Sequence, residues 1–143
     1  MKRRAELFGS CLALLLAVGC SGKPREAAQN ATEKFRARWA KGAFIEIYDA
    51  SEPPFKASLS QEQATKWMEA ASAKLGKWQS AEPGAWSIND GSDGKTVVLG
   101  FKSKYENGTA DETFAWRIKE PEPALVGFHL NSPLIRLDDL QTK

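Results

Sequence analysis

Two runs of alternating side chains, Thr96 to Tyr105 and Ala110 to Lys119, are joined by Glu106, Asn107, Gly108 and Thr109, and no other stretch limits the fold as narrowly. Asn-Gly is the preferred centre of a two-residue type I′ hairpin. Folding the chain there sets Phe101 opposite Phe114, Leu99 opposite Trp116 and Val97 opposite Ile118 on one face. The other face receives Lys104 opposite Asp111, Lys102 opposite Thr113 and Gly100 opposite Ala115. A slip by one residue would turn the apolar set to solvent, so the pattern selects one pairing. A sheet with so apolar a face needs a second layer over it.

The preceding chain has the periodicity to supply that layer. Pro24 suits a first helical turn, and Ala27, Ala31, Phe35 and Trp39 recur at helical spacing until Gly42. Phe44, Ile47 and Tyr48 suggest a second helical segment, closed by Asp49 to Pro54, where Pro53 and Pro54 impose a break. Ser60 and Gln63 form a capping box flanked by the staple pair Leu59 and Ala64, and Trp67, Met68, Ala71 and Leu75 continue that face to Gly76. Trp86 to Asn89 reads as an earlier strand leading through the turn-rich Asp90 to Gly94, and Ala124 to Leu130 as a later one. After Pro133, Leu134, Ile135, Leu137 and Leu140 fit either a short docked helix or an apolar tail. The expectation is an α+β domain with N-terminal helices packed on one face of an antiparallel β-meander. The run from Phe44 to Asp49, the stretch from Leu59 to Gly76 and the closing strands ending in Leu125 to His129 resemble the cystatin-like and nuclear-transport-factor-like group. That resemblance implies a fold and no single function, because such domains include enzymes, binding proteins and interaction modules.

The first twenty residues have a different design. Lys2, Arg3 and Arg4 precede an apolar run from Leu7 to Val18 that ends in Gly19 and Cys20. This is the plan of an export signal. A run of about a dozen residues is shorter than the roughly 20 that cross a bilayer as a helix. Leu16 to Cys20 resemble the lipobox of bacterial lipoproteins, although Ala17 stands where the family prefers Leu. The resemblance implies a lipid, palmitate among its acyl chains, on Cys20. With Ser21 and not Asp next, it also implies sorting to the outer membrane, facing the periplasm. Ala17 and Gly19 equally suit an ordinary cleavage that frees a secreted or periplasmic protein. The expected layout is a signal over 1–19, a lipidated tether over 20–23, one domain over 24–131 and a tail over 132–143.

Charge and composition exclude several functions. The net charge of +2 is carried entirely by Lys2, Arg3, Arg4 and Glu6, so the exported part is neutral and has no basic excess for phosphates. Nucleic acid is therefore not an expected partner. Cys11 lies in the signal, which leaves the domain without a disulfide. His129 is the single histidine, which removes Ser-His, Cys-His and multi-histidine metal arrangements. The loop Asn89 to Gly94 lacks the spacing and closing Glu of a calcium loop and reads as a turn. No cofactor or metal is expected. Asp49 and Glu52 would matter as bases only inside an apolar cavity, and beside Pro53 and Pro54 they read as turn residues.

Trp39, Phe44, Tyr48, Trp67, Phe101, Phe114 and Trp116 read as core, which predicts a filled interior with at most a shallow cleft. The partner face is then the outer side of the hairpin, with Lys102, Lys104, Asp111, Thr113 and Arg117. The function expected is a membrane-anchored envelope lipoprotein with a small non-enzymatic binding or assembly domain, whose partners are the membrane and an envelope protein. The alternative is a small-molecule binder or enzyme with a cavity between helices and sheet.

Overall fold

The structure, a computed structural model, describes residues 22–136. The signal, Cys20, Leu137 and Leu140 lie outside the described residues. Four helices, α1 (Gly22–Ala40), α2 (Phe44–Asp49), α3 (Pro53–Ser58) and α4 (Gln61–Leu75), precede four strands. These are β1 (Trp78–Gly91), β2 (Gly94–Tyr105), β3 (Gly108–Arg117) and β4 (Ala124–Asn131), paired antiparallel in the order β1-β2-β3-β4. The fold is the expected α+β arrangement, an N-terminal helix cluster followed by an open antiparallel meander.

Helix α1 begins at Gly22, so Gly22 and Lys23 of the expected tether are helical. It buries Ala28, Ala31, Thr32, Phe35 and Trp39. Pro53 and Pro54 do break the chain, and they also open α3, which periodicity did not reveal. The reason is that proline fits a first turn, where its missing N–H has no intrahelical acceptor. At α4 the capping box is complete: Gln63 N–H donates to Ser60 Oγ at 3.2 Å and Ser60 N–H to Gln63 Oε1 at 3.1 Å. The helix ends at Gly76, whose φ of 73° and ψ of −159° belong to a region essentially reserved for glycine.

The central hairpin pairs two residues away from the sequence reading. Leu99 faces Phe114, Val97 faces Trp116, Phe101 faces Glu112, Gly100 faces Thr113, Lys102 faces Asp111 and Lys104 faces Thr109. Tyr105 pairs with Gly108, which leaves Glu106 and Asn107 as the turn. A shift of two keeps every side chain on its face, and so the apolar alternation cannot distinguish the two pairings. Contacts from the end of α4 and the link that follows it favour the observed one. Asn107 N–H donates to Leu75 O at 2.9 Å, Glu106 N–H to Lys77 O at 2.8 Å and Asn107 Nδ2 to Lys74 O at 3.0 Å.

Strand β1 is far longer than Trp86 to Asn89. It extends back to Trp78 through Gln79, Ser80, Glu82, Pro83 and Gly84, with register irregularities between Trp78 and Ser80 and between Pro83 and Trp86. It is an edge strand, exposed along most of its length, where proline and polar residues are tolerated. The inward face of the sheet meets the helices in a core of rings. Phe35 stands 5.0 Å from Phe114 and 4.8 Å from Phe128, and Trp39 stands 5.3 Å from Phe44. Trp39, Phe44, Phe114 and Trp116 are buried, whereas Tyr48, Trp67 and Phe101 are half-buried at its margin. Among the described residues, all buried apolar side chains lie between Ala28 and Leu130.

Candidate functional site

Two places gather polar chemistry. The first is inside the core. Strand alternation puts Glu112 on the inward face between Ala110 and Phe114, and its side chain is 1% exposed. Ser103 Oγ donates to Glu112 Oε2 at 2.6 Å and Tyr105 Oη donates to Oε1. Arg36 Nη2 stands 2.8 Å from Oε2, an ion pair without the straight angle of a hydrogen bond. Burial, then the charge of Glu112, pushes the Tyr105 hydroxyl well above its ordinary value, with Arg36 opposing them. The guanidinium of Arg36 also lies over the rings of Trp78 at 4.7 Å and Phe101 at 5.1 Å, and Trp78 Nε1 donates to Ser103 Oγ at 3.3 Å. An acid so enclosed has every oxygen engaged. It fixes β2, β3 and α1 to one another.

The second place is an open cleft of about 540 Å³ between α1, the α2–α3 junction and the β3–β4 connection. Phe35, Ile47, Trp116 and Leu125 contribute its apolar lining, while Lys34, Asp49, Glu52, Lys119 and Glu122 supply charge. Each of these charged groups has a polar partner. Lys34 Nζ meets Glu122 Oε2 at 2.5 Å, and this hydrogen bond, reinforced by the ammonium charge, holds the Glu122 carboxyl below its usual value. Lys119 pairs with Glu52, and Gln61 Nε2 donates to Asp49 Oδ1 at 2.8 Å. Asp49 is exposed at the rim, not set in an apolar pocket. The cleft can grip a partner by shape and by exchange of ion pairs.

Of the expected partner face, Lys102, Lys104, Asp111 and Thr113 are exposed on the outer side of β2 and β3, as their alternation requires. Arg117 is half-buried, with Nη1 3.3 Å from Gly94 O, which fastens it to the β1–β2 turn. His129 is exposed on β4 opposite Thr113, on that same outer side. The residues Asn89 to Gly94 form the tip of the β1–β2 hairpin, and Lys95 Nζ binds Asp90 Oδ1 at 2.8 Å. Among the described residues no cluster of three metal-ligating side chains occurs, and no helix is long and apolar enough to cross a membrane.

Sequence reasoning missed the Arg36–Glu112 pair, and it allowed for a shallow cleft without placing it. A charged residue at an inward strand position was the available signal for the first. The cleft has no such signal, because it is formed by loops whose approach depends on the whole fold. No family model matches the chain, and no curated protein matches it.

Proposed function

We infer that the protein is a bacterial envelope lipoprotein, held by lipid on Cys20 in the outer membrane facing the periplasm, whose domain is a non-enzymatic binding or assembly module. The leader and the lipobox-like Leu16 to Cys20 support the anchoring. The observation that carries the module reading is the state of the cleft carboxylates: Asp49, Glu52 and Glu122 are each already engaged by an amide or an ammonium. A general base works best with a raised pKa, and the hydrogen bond and charge of Lys34 hold the Glu122 carboxyl below its ordinary value. These pairings suit a surface that trades its own ion pairs for those of a partner protein. The outer hairpin face with Lys102, Lys104, Asp111 and Arg117 is the second surface offered to an envelope partner.

The cleft volume supports one rival, a small-molecule binder or enzyme, since ligand pockets fall in the range of roughly 300–1,000 Å³. Two measurements decide. The wild-type chain expressed in a Gram-negative host should take up labelled palmitate and fractionate with outer membranes, and Cys20→Ala should abolish both; an unacylated wild type refutes the anchor. Turnover in a hydrolase and isomerase screen that is lost on Asp49→Asn would replace the module with the enzyme.

A further inference from the structure

We propose that the end of the domain carrying Trp86 and the first turns of α1 is a bilayer-docking surface, with Trp86 entering the headgroup region of the membrane that holds Cys20. The proposal rests on the lipid anchor inferred above. Gly22, the first described residue of α1, is two positions after Cys20. Two residue steps span at most about 7 Å, about the thickness of one headgroup layer. An anchored Cys20 therefore brings the N-terminal end of α1 to the lipid surface, and whatever is exposed on that end must face it.

That end bears an unusual side chain. Of the five tryptophans, Trp39 and Trp116 are buried, Trp67 packs against the core, and Trp78 is engaged by Arg36 and Ser103. Trp86 is 45% exposed, the most exposed of them. Arg25 lies over its ring, 4.5 Å from the centroid. Since Arg25 meets Trp86 and Arg36 meets Trp78, α1 runs antiparallel to β1, and Trp86 lies nearer the tether than Trp78, on the part of β1 that continues to the hairpin tip at Gly91. Tryptophan with an adjacent arginine is a pair suited to a membrane interface, its ring at the headgroup level and its cation among phosphates.

The helix start has the complementary charge. Lys23 and Arg25 occupy the first turn, which contains no acid. Basic residues there oppose the positive end of the helix dipole, a cost within the domain that anionic headgroups would offset. A protein partner at this end would have to fit within the few ångströms that the tether leaves above the lipid.

The mature chain from Cys20 has a single thiol, so it can be coupled at that position to maleimide-lipid vesicles without any cellular acylation. With brominated phosphatidylcholine and phosphatidylglycerol in the vesicles, tryptophan emission should be quenched. Trp86→Phe should remove most of that quenching, and Trp78→Phe should leave it in place. Arg25→Gln should weaken it only where phosphatidylglycerol is present. Equal quenching of wild type and Trp86→Phe, or no quenching of the tethered wild type, overturns the docking surface while leaving the anchor untouched. Absence of labelled palmitate on Cys20 in cells overturns the anchor instead, and the tethered chain still reports on the surface.

Discussion

Glu112 is the residue on which the interior depends. Removing one partner of a buried ion pair leaves the other charge without compensation, which typically costs about 3–5 kcal/mol. Glu112→Ala should therefore lose roughly that much stability in urea denaturation, because Arg36, Ser103 and Tyr105 would all be left facing an apolar gap. A joint replacement of Arg36 and Glu112 by Met and Leu should cost less than the two single changes added together. Tyr105 adds a pH dependence. Its folded pKa lies above the unfolded value of about 10, so its contribution is complete below that pH. Above pH 10 the unfolded chain releases a proton that the folded chain keeps, and stability should fall by up to about 1.4 kcal/mol per pH unit. Thermal melts between pH 8 and 11 should show this alkaline limb in the wild type and a flatter one in Tyr105→Phe.

The elements are set by their ends. Ser60→Ala removes the side chain that caps α4 and should cost about 1 kcal/mol. Two glycines near the central turn differ in what they do. Gly76 has a positive φ, and a Cβ there would stand 3.0 Å from Glu106 Cβ, so Gly76→Ala should destabilise by about 1–3 kcal/mol. Gly108 is not among the glycines with positive φ, and a Cβ on it would meet Leu134 Cδ1 at 2.8 Å. Leu134 is 38% exposed and can rotate away, so Gly108→Ala should cost less than Gly76→Ala in paired chemical denaturation. The reverse order would restore Asn107-Gly108 as the turn centre. The Asn-Gly signal was real as a hairpin marker. Its position within the turn was decided by the hydrogen bonds that Asn107 donates to the Leu75 and Lys74 carbonyls, which no local pattern contains.

For the whole molecule, the joint between helices and sheet is Trp116, buried and donating through Nε1 to Thr32 Oγ1 at 3.0 Å. Trp116→Ala should cost about 3–5 kcal/mol in calorimetry, since it empties a ring-sized volume and leaves Thr32 without its donor. The sequence by itself determined the fold class, both faces of β2 and β3, the α4 cap, and the inward set of Val97, Leu99, Phe114 and Trp116. These follow from alternation, helical spacing and capping, which act over a few residues and are written in the order of side chains. Tertiary structure decided the two-residue register, the extent of edge strand β1, the partner of Glu112 and the cleft. Each needs groups far apart in the chain, Arg36 against Glu112 or Glu52 against Lys119, and such an approach is fixed by the packing of layers and not by any segment alone.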